Sequence, residues 1–224
     1  MKRRHTRTPG TQRYSRIDSR GERFPVRERD VQLLVNLQDY LDTGLHSDHR
    51  DTRCLLRDCA QGRDFLNLFA YTGAFTCSAA AGGAESTLTV DKSATYLDWA
   101  RDNMALNGFT GREHRYVQSD TGVFLERARR ERRRFTLAVV DPPSFFTYGK
   151  KKINLDINRD HLMLIQDVLS IMAPGSTVFF STNHQRFEPK LDGLRVNRIV
   201  ELTPSTIPED YRNRRIHRCW EIHV

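Results

Sequence analysis

The sequence is poor in the features that mark a secreted, metal-stapled or membrane-bound protein. Only four cysteines occur in 224 residues, Cys54, Cys59, Cys77 and Cys219, with no CxxC pair and no ligand-spaced histidines beside them. Neither a disulfide framework nor a zinc site is indicated, no metal is called for, and a reducing compartment is expected. No uninterrupted apolar run approaches the roughly 20 residues that span a bilayer, and the basic start MKRRHTRTPG leads into no apolar stretch of a signal peptide. A soluble, cytoplasmic protein is the expectation. Also missing is the GxGxxG turn that brings several backbone amides against a pyrophosphate, which weighs against a nicotinamide oxidoreductase.

What is abundant is positive charge, with 36 Lys and Arg against 28 Asp and Glu, a formal net charge of +8. Basic side chains that neutralise phosphates release condensed counterions, so nucleic acid is the natural partner class. Residues 1 to 22 are rich in Arg, Thr, Ser and Gly and nearly devoid of apolar side chains. Such a segment cannot offset its ordering entropy and reads as a mobile basic tail. Val31 to Leu37 reads as a short buried strand and Asp48 to Cys59 as a helix, giving an extension over 23–62 ahead of a catalytic domain over 63–224.

From residue 65 strand and helix alternate. FLNLFA (65–70), STLTVD (86–91), HRYVQSD (114–120), FTLAVVD (135–141) and STVFFST (176–182) are apolar or β-branched runs with polar ends. Helical patterns fill the gaps at 75–81, 94–106, 123–134 and 159–173, the third including the charge-dense ERARRERRR. This alternation predicts an α/β fold, a mostly parallel sheet with helices on both faces. NRIVELT (197–203) and RRIHRCWEIHV (214–224) add two strands, with an antiparallel C-terminal strand.

In an open parallel sheet ligands bind beyond the carboxyl ends of the strands. The first strand leads into Tyr71-Thr72-Gly73, a tight turn opening a helix whose amides offer donors. The second ends in Asp91, placed to accept from ribose hydroxyls. The third ends in Ser119-Asp120, a carboxylate suited to an adenine amine or to a helix N-cap. The fourth ends in Asp141-Pro142-Pro143-Ser144-Phe145. There two prolines stiffen the tip and remove donors, and an aromatic plane follows, a geometry for the edge and face of a planar base. A nucleoside cofactor without phosphates fits this set.

NLFAYTG, VDKSATYLDWARDNMALNG, QSD and DPPSF resemble the Rossmann-like class I methyltransferases of 23S ribosomal RNA. With DYLDTGLHSDHR (39–50), FFSTNHQRF (179–187) and TIPEDYRNRRIHRCW (206–220), the chain from about residue 24 onward is similar to the RlmK-type guanine-N7 family. The resemblance implies a seven-stranded sheet, S-adenosylmethionine as methyl donor, and as partner 23S ribosomal RNA or a pre-ribosomal particle. It also implies a separate RNA-capturing domain or protein. Asp91 would bind the ribose, Asp120 the adenine, and Asn67 with Tyr71, Thr72 and Gly73 the methionine moiety. Phe69, Lys92 and Ser93 complete the cofactor motifs, joined by Asp141. Thr43, Asp48 and Arg50 would close over the cofactor, Arg50 as partner of its carboxylate. Asp141, Pro142 and Phe145 would be the catalytic set that positions the base, and the loop 149–160 an RNA-facing lid. One departure is His46, where the family carries a large apolar residue.

On the residues alone the acceptor stays open. Cytosine C5 chemistry needs a thiolate at the rim, and the fifth strand ends in Ser181-Thr182-Asn183. Adenine N6 remains compatible with Asp-Pro-Pro and an aromatic, and the resemblance favours guanine N7. A non-catalytic RNA-binding module would have no use for carboxylates at three strand tips. His161, His184 and His217 read as surface or hydrogen-bonding residues rather than bases.

Overall fold

The computed structural model describes residues 21–39 and 42–224. The basic segment expected to be a tail lies, up to residue 20, outside the described residues. The chain opens with a hairpin of β1 (Phe24–Glu28) and β2 (Val31–Val35) paired antiparallel, followed by a 3-10 turn at Ser47–His49 and α1 (Arg50–Asp58). Alternation follows: β3 (Asp64–Leu68), α2 (Ala74–Ala81), β4 (Ser86–Asp91), α3 (Ala94–Leu106), β5 (His114–Gln118), α4 (Thr121–Arg130) and β6 (Phe135–Val140). A second hairpin, β7 (Phe145–Tyr148) with β8 (Ile153–Asp156), leads into α5 (Ile157–Leu169) and the long β9 (Met172–Thr182). β10 (Arg198–Glu201), the short α6 (Thr203–Thr206) and β11 (Arg218–His223) end the fold.

Seven strands form one sheet in the order β10-β11-β9-β6-β3-β4-β5. β3, β4, β5, β6 and β9 run parallel, and β11 is antiparallel to both of its neighbours, β9 and β10. This is the Rossmann-like, mostly parallel sheet with an antiparallel C-terminal strand. Alternate side chains of β3 serve opposite faces. Leu66 and Leu68 join Leu88, Val90, Phe124, Leu164 and Ile165 under α4 and α5. Phe65 packs with Leu137, Val139, Phe179 and Leu56 under α1 and α2. Burial on both faces explains why these strands are nearly continuous apolar runs.

Several boundaries move from their expected places. The strand over 31–37 stops at Val35, and its partner β1 was not foreseen, since FPVRE is largely exposed. The strand expected over 65–70 ends at Leu68, because Phe69 and Tyr71 turn with φ of 57° and 51°. α4 stops at Arg130, short of Arg134, and Arg132 adopts φ 55°. The helix over 159–173 begins at Ile157 on the Asp156 N-cap and ends at Leu169, while Met172 already belongs to β9. The segment 149–160, read as a loop, contains most of a hairpin and the start of α5.

α4 runs from the carboxyl rim of the sheet back to the amino edge. Its exit carries six arginines against two glutamates within 126–134, net +4, half of the chain's formal +8. Arg127 and Arg130 pair with Glu131 and Glu126. Arg129, Arg132 and Arg134 are exposed and pair with no carboxylate among the described residues. No helix among the described residues is long and apolar enough to cross a membrane.

Candidate active site at the carboxyl rim

β3 and β6 are neighbours, yet the chain leaves β3 toward β4 and β5 on one side and continues from β6 toward β9 on the other. The crevice at such a switch point is where ligands of open α/β sheets bind. A cavity of about 1740 Å³ opens there, and its wall includes Asn67, Phe69, Tyr71, Thr72, Asp91, Lys92, Ser93, Asp120, Asp141, Pro142 and Phe145. This exceeds the volume usual for one small ligand and has room for a nucleoside and a base together.

Asp91 is fixed by the backbone that surrounds it. Tyr71 N donates to Oδ2 at 2.9 Å and Ser93 N to Oδ1 at 2.8 Å. Burial raises its carboxyl above the ordinary value, and these backbone donors pull the other way. Each oxygen keeps a lone pair for a vicinal diol. Ser93 also caps α3, accepting from Tyr96 N.

The turn before α2 is held just as tightly. Gly73 has φ 74°, and a Cβ there would lie 2.7 Å from the Ala100 Cβ, so only glycine closes it without displacement. Tyr71 Oη accepts from Gly44 N at 2.8 Å, and Thr72 Oγ1 donates to Gly44 O at 2.6 Å. The upstream segment is thereby pinned to the tip of β3, with His46 tilted against the Tyr71 ring at 4.9 Å. Asn67, buried below, donates to Thr76 Oγ1 at 3.0 Å.

Asp120 is the helix cap its position allowed, and it leaves one oxygen toward the cavity. Its Oδ1 accepts from Gly122 N and Val123 N as the α4 N-cap, and from Gly149 N at 2.6 Å. The bonds fall on one oxygen, so the other is the one available to a ligand amine. The bond from Gly149 and a second from Lys92 Nζ to Thr147 Oγ1 at 2.8 Å tie the β7–β8 hairpin to the tips of β5 and β4.

At the end of β6, Asp141 Oδ1 accepts from Ser181 Oγ at 2.6 Å. Phe145 stands 69% exposed at the mouth, its ring 6.5 Å from that of His184. Behind Asp141 is a cluster the sequence did not reveal. His49 Nε2 lies 3.6 Å from Asp141 Oδ2 and 3.8 Å from Asp48 Oδ2. The His49 ring stacks on His217 at 4.1 Å and 15°, and His217 Nδ1 is 3.0 Å from Asp48 Oδ2. Burial drives the His49 imidazole down to about 4, against the two carboxylates that would raise it. Burial would raise Asp48, yet the His217 hydrogen bond and the neighbouring histidines hold it well below the usual carboxylate range. Asp48, His49 and His217 offer ligand atoms within 4.8 Å of one another. Nearly parallel rings and a His217 engaged at both nitrogens, by Asp48 and by Thr206 Oγ1, make this a hydrogen-bonded stack rather than a converging ligand set.

Thr43, Asp48, Arg50 and Gly73 do not themselves line the cavity. Arg50, expected to face it, is instead bound bidentately by Asp210 through Nη1 and Nη2. Two other arginines, Arg53 and Arg186, stand in the wall, and Arg53 is 2% exposed and clamped by Glu28 of β1 at 2.6 Å. The partner of Arg53 sits on the unforeseen strand, so no local pattern announced it. His161 and His217 prove to be buried hydrogen-bonding residues, His161 Nε2 accepting from Lys190 N. Cys219 pairs in register with Ser181, close to the rim, but is fully buried and its thiol is pushed far up by burial.

Residues 15–202 match the sequence profile of the S-adenosylmethionine-dependent methyltransferases. The chain belongs to that family. S-adenosylmethionine is its cofactor, and the fixed Asp91 carboxylate and the free edge of Asp120 suit a nucleoside. The chain is 46% identical over 214 residues to the ribosomal RNA large subunit methyltransferase K/L of Syntrophotalea carbinolica, covering 95% of this chain and 30% of that protein. It thus spans under a third of the length of that relative. A protein described as a methyltransferase, solved in complex with SAH, superposes with a TM-score of 0.78 at 25% identity, covering 92% of this chain and 57% of that one. The 16S rRNA N2 methyltransferase of Thermus thermophilus, solved with AdoMet and guanosine, shares the fold at TM-score 0.61 and 18% identity, over 90% of this chain and 50% of that one.

Proposed function

We propose that this methyltransferase modifies N7 of a guanine in 23S ribosomal RNA, free or in a pre-ribosomal particle, within the cytoplasm. One observation carries the reading: Asp141, Pro142 and Phe145 line the same cavity as Asp91 and Asp120. A nucleoside held by the latter pair lies beside a site shaped for a second flat base. The name of the 46% identical relative supports a large-subunit RNA acceptor.

S-adenosylmethionine supplies an electrophilic methyl group on a positively charged sulfur. Guanine N7 presents an in-plane lone pair without a proton, so the residues need only align the base and stabilise the charge it gains. Asp141 supplies the negative charge. Pro142 and Pro143 hold the tip without offering competing N–H groups, and Phe145 presents an aromatic face. A cytosine C5 mechanism is disfavoured because Cys219 is sealed in the core as a protonated thiol. As a family member of catalytic type, the protein is read as an enzyme rather than a passive RNA-binding module.

The test is mass spectrometry of nucleosides from a 23S rRNA transcript incubated with the protein and S-adenosylmethionine. 7-Methylguanosine is expected. N6-methyladenosine or 5-methylcytidine would reassign the acceptor, and no incorporation would refute the RNA reading. Asp141→Ala should abolish transfer while the cofactor still binds.

A further inference from the structure

Charge stabilisation by Asp141 gives no task to the buried side chains behind it. Asp141 Oδ1 is held by the Ser181 hydroxyl at 2.6 Å. Its other oxygen faces His49 Nε2 across 3.6 Å. The tautomer follows from the surroundings. Two carboxylates, Asp48 and Asp141, face Nε2, while Nδ1 lies 3.3 Å from the Thr52 hydroxyl, a group able to donate. The proton therefore belongs on Nε2. The ring is kept in plane by stacking on His217, which is itself tied to Asp48 at 3.0 Å and to Thr206 at 3.1 Å. His49 is 3% exposed and His217 1% exposed, so solvent does not supply these bonds.

We propose that His49 is a positioning residue for methyl transfer, its Nε2–H and the Ser181 hydroxyl together fixing the Asp141 carboxylate against the acceptor base. Asp48 and His217 form the frame that aims the imidazole. The proposal rests on the reading of Asp141 as the base-facing carboxylate. The 3.6 Å separation is longer than a hydrogen bond, and a movement of about 0.5 Å closes it, the kind of tightening that catalytic contacts show when the complex forms.

Neutral donors are what this task requires. A cation bonded to Asp141 would offset the charge meant for the methylated base, whereas a hydroxyl and an uncharged imidazole orient the carboxylate and leave its charge intact. The groups facing His49 are Asp48, Asp141, His217 and Arg53. Of these, Arg53 has its charge met by Glu28.

The test uses initial rates with methyl-labelled S-adenosylmethionine and a 23S rRNA transcript, on His49→Phe, His49→Gln and His49→Asn beside Asp141→Ala. Losing one bond to a charged group predicts kcat lower by ~10–100-fold in His49→Phe, with cofactor Kd and RNA KM within about threefold of the wild type. His49→Gln, whose amide can reach Asp141, should recover most of kcat. His49→Asn, one carbon shorter, should not, and this pair carries the test if the Phe variant does not melt cooperatively. Equal rates for Gln and Asn, a kcat for His49→Phe within about twofold of the wild type, or a cofactor Kd that moves in step with kcat would overturn the proposal. If Asp141→Ala itself turns over normally, the reading of Asp141 as the base-facing carboxylate fails, and the role of His49 with it. If only the His49 variants do, that reading stands and the role of His49 alone falls.

Discussion

Replacing Asp91 with Asn is nearly isosteric and tests the cofactor half of the site. In the native protein each carboxylate oxygen accepts one backbone N–H, from Ser93 at 2.8 Å and from Tyr71 at 2.9 Å. In the variant one oxygen becomes an NH2 that must face one of those donors. A charge-assisted bond is lost and a donor is set against a donor, which costs about 1–3 kcal/mol of stability. For a chain of this size that lowers Tm by roughly 3–10 °C. The cofactor suffers separately. If Asp91 takes the ribose diol, as proposed, two charged acceptors give way to one neutral acceptor and one donor, and affinity should fall ~10–100-fold. Isothermal titration with S-adenosylmethionine reads the second effect and differential scanning calorimetry the first. A variant that binds the cofactor within about threefold of the wild type, at unchanged Tm, would refute the assignment of this carboxylate to the ribose.

Two further outcomes follow from features away from that contact. His49 stays neutral in the fold down to about 4, whereas the unfolded chain protonates near 6.5. Stability is therefore complete above about pH 6.5 and lost as pH falls toward 4, by about 2–3 kcal/mol between pH 7 and 4.5. Urea denaturation should show this loss and show less of it in His49→Phe; equal pH dependence of the two proteins would count against a neutral buried imidazole. Reversing Arg129, Arg132 and Arg134 to Glu should raise the RNA KM by ~10-fold or more and flatten its salt dependence, with kcat unchanged. An RNA KM unaffected by that triple change would mean the amino edge does not meet the substrate.

What was legible in the sequence was whatever local chemistry specifies. α3 has its expected ends, Ala94 and Leu106, because Ser93 caps one end and Asn107-Gly108 breaks the other, with Gly108 at φ 80°. Four of the parallel strands, β3, β4, β6 and β9, were visible as apolar or β-branched runs because both faces are covered, whereas the edge strand β5, HRYVQ, is half polar and was marked by its place in the alternation. The carboxylates lining the cavity were visible because strand ends are where such sheets bind ligands. The hairpins were not. FPVRE and INLD are short, half polar and paired only with their own hairpin partners, β2 and β7, so no alternation stands out. Nor could the histidine stack be read, since Asp48 and His217 are 169 residues apart and meet only when β11 inserts beside β9. Arg50 comes from the resemblance alone, and Arg53 lies one helical turn further along. Which of them turns inward is decided by Glu28, on a strand that the pattern did not show.

The stitching of the β7–β8 hairpin to the strand tips makes that element a poor candidate for exchange between relatives. Asp120 serves as helix cap and hairpin anchor through one and the same oxygen, and Lys92 leans across to Thr147 from the tip of β4. An insertion that displaced Gly149 would therefore register at Asp120 as well as at Phe145, on both sides of the cavity. Engineers wishing to graft a different hairpin would have to transplant its two fastening points along with it.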